Sequence, residues 1–329
     1  MKRIMFSVLF MMLSIISFAQ QKVNVTNPLL FNGKPIILGD PFMYFHKGIY
    51  YLTGTYENAD EGFPCYTSKN GKDWEFKGLL WKKNASTWVQ SAFWAPEIKE
   101  YQGKFYLTYS GLWTKINGLR MGLAVSDKPE GPFVDIKTPY FDYGFGAIDG
   151  HLFVDGNKPY LFFSMNGHQD GYSFGKIYAV KLSDDLKTVV GDTVKVMEAS
   201  QAWERVNWAH NRCNEGPFVF KLKDTYYMTY SGNHTFEANY GIGYATAKSP
   251  LGPWVKAEEN PIADKIPELG ISGIGHNSIL PTKNKNEYLI IYHTHADPKK
   301  PENGLRQVNV GLLKVTKDGK LTFHKDIDS

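Results

Sequence analysis

A short phrase occurs five times along this chain of 329 residues. Each copy begins with a polar residue, continues through an apolar stretch, turns at Gly, Lys or Asn, and returns as a stretch rich in Tyr and Phe. The copies begin at Asp40, Glu97, Asp149, Glu215 and His276, which are roughly 50 to 70 residues apart. A period of this size is typical of radial repetition, in which each unit is one small sheet that must pack on its neighbours.

The residues within each unit predict β-structure. Runs such as 226–230 combine aromatic and β-branched side chains, and turns such as Lys47-Gly48 separate paired strands. A third strand follows in every unit. A fourth, outer strand is predicted near residues 74–76, 131–134 and 252–255. We therefore predict an all-β fold, a five-bladed β-propeller with four-stranded antiparallel blades around a central channel. A long β-sandwich, or two β-sandwiches in tandem, is the alternative fold. That fold predicts alternating strands without a repeat of this length.

The N-terminus has the pattern of a secretory signal peptide. Lys2 and Arg3 precede an apolar run over residues 4–18, and the small residue Ala19 follows it. We expect cleavage after Ala19, which assigns residues 1–19 to the signal peptide, and export without membrane insertion. An N-terminal membrane anchor is the alternative, although the apolar run is short for a bilayer span.

Composition and charge narrow the class of protein further. The chain has 37 basic and 33 acidic residues and no long basic run, so nucleic-acid binding is not expected. No Pro-, Gly- or Ser-rich linker divides residues 20–329, so we expect them to form one domain. We expect the protein to be a monomer. Two cysteines, Cys65 and Cys213, are too few for a disulfide framework. We expect two free buried thiols, and a disulfide stays open as the alternative.

The first residues of the repeated phrase predict an active site. In a propeller the innermost strand of each blade lines the channel, so the first residues of these strands meet at one mouth. Asp40, Asp149 and Glu215 hold such positions. Hydrolysis of a glycosidic bond needs an acid for the leaving oxygen and a base or nucleophile at the anomeric carbon. A third carboxylate raises the pKa of the acid by repulsion. These three carboxylates, brought together by the repeat, favour catalysis over three unrelated surface residues.

Four motifs, in this order, resemble those of glycoside hydrolase family 43. They are the sequences GDPF at 39–42, FWAPE at 93–97, AIDG at 147–150 and NEGP at 214–217. The resemblance covers nearly all of the chain after the signal peptide. Gly150 departs from the pattern, because many members have Pro there.

The resemblance implies a role for each carboxylate. Asp40 would be the general base that activates water, Glu215 the general acid, and Asp149 the residue that modulates and orients Glu215. The family inverts configuration, which implies about 6.5–9.5 Å between the carboxyl groups of Asp40 and Glu215.

The resemblance also implies substrate-binding residues and a structural cation. Trp94 and Phe42 are assigned to the sugar site, and Arg306 is expected to contact the sugar and the acid. The resemblance implies that His276 can hold a structural cation, often calcium, or a water cluster, although a lone histidine is more often a hydrogen-bonded structural residue and calcium prefers oxygen ligands. No cofactor is required for the chemistry.

The resemblance implies an exported, inverting hydrolase of arabinose- or xylose-containing plant polysaccharide, most simply an exo-acting α-L-arabinofuranosidase or β-xylosidase. An endo-acting arabinanase or xylanase of the same family is one alternative, and a sugar-binding propeller without catalysis is another.

The first residues of the copies differ in kind, which favours one axial site over repeated lectin sites. A retaining, fructan-cleaving relative is disfavoured by Gly39, Ile148 and Gly216, where such proteins usually have Asn, Arg and Cys.

Overall fold

The computed structural model describes residues 25–56 and 61–327, so the predicted signal peptide at 1–19 lies outside the described residues. The described chain is almost entirely β-structure, which confirms the predicted all-β class. Its helical segments are three short 3₁₀ turns at Ala202–Arg205, Pro267–Leu269 and Pro301–Asn303. Within this part of the chain no helix is long and apolar enough to cross a membrane.

The strands are numbered in chain order. They are β1 (Leu30–Phe31), β2 (Lys34–Pro35), β3 (Gly39–His46), β4 (Ile49–Thr55), β5 (Gly62–Ser68), β6 (Glu75–Lys82), β7 (Trp94–Tyr101), β8 (Lys104–Trp113), β9 (Gly118–Ser126), β10 (Val134–Lys137), β11 (Gly146–Asp155), β12 (Lys158–Gln169), β13 (Tyr172–Leu182), β14 (Val189–Glu198), β15 (Asn211–Leu222), β16 (Thr225–Gly232), β17 (Gly241–Ala247), β18 (Val255–Lys256), β19 (Gly275–Pro281), β20 (Glu287–His295), β21 (Arg306–Val315) and β22 (Leu321–His324).

Strands β3 to β22 form antiparallel four-stranded meanders. Three are separate sheets, β3–β6, β7–β10 and β19–β22. The other two, β11–β14 and β15–β18, are joined into one sheet by a short parallel pairing of β13 with β15. The predicted outer strands correspond to β6, β10 and β18. Strands β14 and β22 complete two meanders in which no fourth strand was predicted.

The first strands of successive meanders contact one another. Strand β3 contacts β7, β7 contacts β11, β11 contacts β15, β15 contacts β19, and β19 contacts β3. The apolar cores lie between neighbouring meanders, since each buried cluster takes residues from two of them. One cluster packs Met43 and Leu52 of the first meander against Ile291 and Val310 of the last. The last meander therefore packs on the first as the others pack on their neighbours.

Every first strand carries the same irregularity near its start. The pairing register shifts there, and one residue has a positive φ. These residues are Asp40 (φ 46°), Ala95 (48°), Asp149 (57°), Gly216 (59°) and His276 (42°). In each case the backbone amide of that residue donates to a side chain on the second strand of the preceding meander. The acceptors are His293, Thr55, Ser110, Ser164 and Ser231, respectively.

This bulge corrects the alignment of the copies. Asp40, Asp149 and His276 are structurally equivalent, as predicted. Glu215 stands one residue before its bulge residue, Gly216, and Glu97 stands two residues after its own, Ala95. The prediction that three carboxylates share one repeat position is therefore wrong for Glu215. The sequence copies were matched by their polar first residue, whereas the backbone irregularity defines the true register.

Two smaller features complete the fold. The segment containing β1 and β2 lies against β21, because the amide of Leu29 donates to the carbonyl of Val308 and the amide of Val308 donates to the carbonyl of Ile36. Cys65 and Cys213 are free and buried, in agreement with the expected thiols.

Candidate active site

One pocket of about 440 Å³ lies at the bulged ends of the first strands. Of the residues that the sequence assigns to a site, it is lined by Asp40, Trp94, Asp149, Glu215, His276 and Arg306. These residues come from all five meanders. Phe42 does not line it: its side chain is 7% exposed and packs among the apolar side chains between the first two meanders. The bulge at Asp40 and Pro41 places Phe42 beyond the pocket, so its assignment to the sugar site is not supported.

Asp40 is an ionised carboxylate held by several partners. Its Oδ1 accepts a hydrogen bond from Arg306 at 2.7 Å and lies 3.2 Å from Nδ1 of His276. Its Oδ2 accepts from the Thr55 hydroxyl at 2.5 Å. Burial alone would raise the pKa of Asp40, but Arg306, His276 and Thr55 together hold it well below its usual range. Asp40 is thus available as a base over the whole physiological pH range.

Asp149 has the opposite electrostatic environment. Burial, with repulsion from Glu215 and Asp40, raises its pKa to about 7, although His276 opposes the shift. Its Oδ2 accepts hydrogen bonds from the Ser164 hydroxyl at 3.0 Å and from the backbone amide of Gly216 at 3.1 Å. Because Gly216 follows Glu215 directly, Asp149 fixes the backbone that carries the third carboxylate.

Glu215 is partly exposed in the pocket and is oriented by two donors. The Tyr240 hydroxyl donates to Oε1 at 2.8 Å, and the Cys213 thiol donates to Oε2 at 3.2 Å. Tyr240 is fully buried and stacks on His293, with ring centroids 5.7 Å apart and an interplanar angle of 4°. The same stacked pair therefore links Glu215 to the strand end that holds the amide of Asp40.

His276 lies among these carboxylates. Burial by itself would lower its pKa, but Asp40, Asp149 and Glu215 outweigh burial and raise it. A Cβ on Gly216 would lie 3.1 Å from the His276 ring, so glycine is needed for this close approach as well as for its positive φ. Among residues 25–56 and 61–327, no group of three or more His, Cys, Asp or Glu side chains is arranged to hold a metal ion. The structural calcium considered for His276 therefore stays a prediction.

The remaining predicted residues have distinct positions. Trp94 is 37% exposed at the pocket, where its indole face is accessible. Arg306 is buried and bonds to Asp40, the predicted base, where the sequence predicted contact with the acid. A Cβ on Gly39 would lie 2.0 Å from the Arg306 guanidinium, which explains why glycine precedes Asp40. At Gly150, the position that departs from the family pattern, a Cβ would lie 2.9 Å from the sulfur of Met121.

Glu97 lies deeper, outside the pocket. Its carboxylate is 2.7 Å from Nδ1 of His151, and both residues are buried. His151 also accepts a hydrogen bond from the amide of Val219 at 3.0 Å, and its ring packs on Phe218. This pair lines a second cavity of about 500 Å³ on the other side of the bulged strand starts.

The pocket has further residues besides the assigned site residues, and several lie in the loops 166–174 and 201–212, which the sequence indicates as possible pocket walls. One wall is formed by the hairpin of β12 and β13 and the start of β15, and another by residues 234–236. The additional residues are Leu119, Ile148, Asn166, Gly167, His168, Ser173, Phe174, Asn211, Cys213, His234, Thr235 and Phe236. The unusual length of the β12–β13 hairpin was the available signal, since both strands exceed their counterparts in the other meanders.

Comparison with known proteins gives a family match. The family profile described as glycosyl hydrolases family 43 matches residues 26–321. An extracellular exo-α-(1→5)-L-arabinofuranosidase from Streptomyces avermitilis is 26% identical over 290 residues, which are 84% of this chain and 57% of the relative. The chain thus matches little more than half the length of that relative.

Solved structures match over more of their length. A thermostable family-43 glycoside hydrolase is 40% identical with a TM-score of 0.83, covering 91% of this chain and 96% of that one. An endo-1,4-β-xylanase from Bacteroides thetaiotaomicron is 29% identical with a TM-score of 0.76, covering 88% of this chain and 96% of that one.

Proposed function

This chain belongs to glycosyl hydrolase family 43, and we propose that it is an inverting, exo-acting glycosidase that releases pentose units from arabinose- or xylose-containing plant polysaccharide. We propose the fold to be a five-bladed β-propeller. This is supported by the five meanders, by the contacts that lead from each first strand to the next and from β19 to β3, and by the shared bulge.

The observation that carries the proposal is that three carboxylates, those of Asp40, Asp149 and Glu215, line one pocket. Asp40, with its lowered pKa, would take a proton from water as the water attacks the anomeric carbon. Glu215 would give its proton to the leaving oxygen. Asp149, whose pKa is raised to about 7 by burial and by repulsion from Glu215 and Asp40, would hold the backbone beside Glu215 through the amide of Gly216. This arrangement places the proposed base and the proposed acid in one pocket.

The pocket walls support exo action. The β12–β13 hairpin and residues 234–236 border the carboxylates and limit the space to about 440 Å³, which suits a terminal sugar and part of its neighbour. The Streptomyces relative, described as exo-acting on arabinofuranosyl linkages, agrees with this assignment. Its description as extracellular also supports export of this chain through the predicted signal peptide at 1–19.

A hydrolysis panel tests the proposal. Nitrophenyl α-L-arabinofuranoside, β-D-xyloside and β-D-galactoside are compared with linear arabinan and xylan, using the native enzyme and the Asp40→Asn variant. We expect the native enzyme to release single pentoses from one pentoside class, and the variant to lose this activity. Oligosaccharides as first products would replace exo by endo action. Sugar binding without turnover would contradict an enzyme.

Product stereochemistry is measured in the same reactions by proton NMR. The first-formed sugar should have the anomeric configuration opposite to that of the substrate. Retention of configuration would contradict the role of Asp40 as a base.

A further inference from the structure

The two oxygens of the Glu215 carboxyl group have different hydrogen-bond donors. Oε1 accepts from the hydroxyl of Tyr240 at 2.8 Å, and Oε2 accepts from the thiol of Cys213 at 3.2 Å. A phenolic O–H is a good donor, whereas an S–H is a weak one. Cys213 lines the pocket and Tyr240 does not. Oε2 therefore has the weaker partner and lies beside a residue of the pocket wall.

Close packing fixes the position of Tyr240. Its side chain is fully buried, and its ring stacks on His293. A Cβ on Gly275 would lie 2.0 Å from the ring, so the start of the last meander packs directly against it. The backbone amide of Tyr240 donates to the carbonyl of Glu237 at 3.0 Å. The hydroxyl cannot move away from Oε1 unless these neighbours are displaced.

The proton of the Tyr240 hydroxyl points toward Glu215. The other hydrogen-bond partner of this hydroxyl is Ser231, whose oxygen accepts from the backbone amide of His276 at 2.8 Å. The Ser231 proton is thus available to the oxygen of Tyr240. Burial, with the charges of Glu215 and Asp40, raises the pKa of Tyr240 well above its usual value. The hydroxyl stays protonated and donates to Oε1.

These contacts make the two oxygens unequal when Glu215 is protonated. A protonated carboxyl group has one carbonyl oxygen, which is a good acceptor, and one hydroxyl oxygen, which is itself a donor. The strong donor Tyr240 favours the carbonyl at Oε1. The weak donor Cys213 competes little with a proton on Oε2.

We propose that Tyr240 is a positioning residue that keeps the transferable proton of Glu215 on Oε2. In the reaction the O–H bond at Oε2 breaks, its proton binds the leaving oxygen, and its electron pair stays on the carboxylate. The glycosidic bond breaks with its electrons on the leaving oxygen, while the water oxygen binds the anomeric carbon and gives a proton to Asp40. The inference rests on the proposed function, because it takes Glu215 as the general acid.

The test is Tyr240→Phe, which removes the hydroxyl and keeps the ring. We measure kcat/KM on a natural oligosaccharide, whose leaving oxygen needs a proton, and on the dinitrophenyl glycoside of the same sugar, which needs none. We expect a fall of about ten-fold or more on the oligosaccharide and of less than about three-fold on the dinitrophenyl glycoside. The ratio of the two values does not depend on the amount of folded enzyme, so partial unfolding would not imitate this result.

The matched control is Tyr109→Phe. Tyr109 is also fully buried, and its hydroxyl also donates to a carboxylate, that of Asp135, at 2.8 Å. It does not line the pocket, so its replacement should keep the ratio of the two kcat/KM values. Cys213→Ala removes the weak donor at Oε2, and it should change the ratio less than Tyr240→Phe does.

Three results would overturn the inference. An unchanged ratio in Tyr240→Phe, whether from no loss or from equal losses on the two substrates, would show that the hydroxyl does not act through the proton. A larger change of the ratio in Cys213→Ala would place the proton on Oε1. Failure of the proposed function would be seen elsewhere, as equal losses on the two substrates in Glu215→Gln.

Discussion

The backbone amide of Asp40 donates a hydrogen bond to Nδ1 of His293 over 3.1 Å. At the four other bulges a serine or threonine hydroxyl accepts the equivalent bond. Because Nδ1 accepts, the proton of the neutral imidazole is on Nε2. Burial and the nearby Arg306 hold the pKa of His293 well below its usual value, which agrees with a neutral ring. His293 therefore attaches the last meander to the first and fixes the residue proposed as the base.

Removing the acceptor at His293 should cost stability and activity together. His293→Phe keeps a ring for stacking on Tyr240 but leaves the buried amide of Asp40 without an acceptor, at about 1–3 kcal/mol. His293→Asn places an oxygen near the position of Nδ1 and should recover most of the loss. Denaturant unfolding and kcat on the best pentoside check both effects. Equal losses in the two variants would show that the hydrogen bond is not the cause.

The neutral state of His293 also predicts a dependence of stability on pH. A histidine with a lowered folded pKa contributes stability above its unfolded pKa of about 6.5, and this is lost as pH falls, because only the unfolded state takes up the proton. The free energy of unfolding of the native protein should therefore fall relative to that of His293→Asn between pH 7 and pH 5. Parallel curves would contradict a neutral His293.

Asp149 should set the basic limb of the pH–rate profile. Burial, with repulsion from Glu215 and Asp40, raises its pKa to about 7, so Asp149 changes its protonation close to neutral pH in the native enzyme. The Asp149→Asn variant has no such titration. We expect the limb of kcat/KM near pH 7 to be absent in this variant, with a reduced maximum. A limb that stays near pH 7 would show that Asp149 does not set it.

A buried ion pair below the pocket should be a large contributor to stability. Glu204 is fully buried and accepts from Lys256 at 2.5 Å and from the Tyr230 hydroxyl at 2.8 Å. Glu204→Gln leaves the Lys256 ammonium buried and unpaired, which should cost about 3–5 kcal/mol in denaturant unfolding.

The matched control is Glu75→Gln, which breaks the exposed pair with Lys77 at 2.6 Å. It should cost far less than Glu204→Gln, because both groups are in water. A loss in Glu204→Gln no larger than in this control would contradict a role for the buried charge.

The sequence predicted the strand-rich units but not their register. The aromatic strands and hairpin turns are local patterns, and they predicted the all-β class and three of the outer strands. The bulge is a property of the backbone, so the sequence could not show that Glu215 precedes the bulge whereas Asp40 and Asp149 occupy it.

One overlooked signal lay at the other end of the repeated phrase. The copies end at Thr55, Ser110, Ser164, Ser231 and His293, and these are the acceptors for the bulge amides. A hydroxyl at the same position in four copies indicates that the same hydrogen bond is made four times. The fifth copy has a histidine at this position. The sequence could not show that Arg306 bonds to Asp40. The two residues are 266 positions apart, and only the packed fold brings them together.

The proposed roles of Glu215 as acid and Asp40 as base are tested most directly with the Glu215→Gln variant. Its activity is measured on substrates that differ only in their leaving group. For a natural oligosaccharide, whose leaving oxygen needs a proton, kcat/KM should fall by about 10²–10⁴. For the dinitrophenyl glycoside of the same sugar, which needs no protonation, kcat/KM should stay within about ten-fold of the native value. Equal losses on both substrates would contradict Glu215 as the general acid.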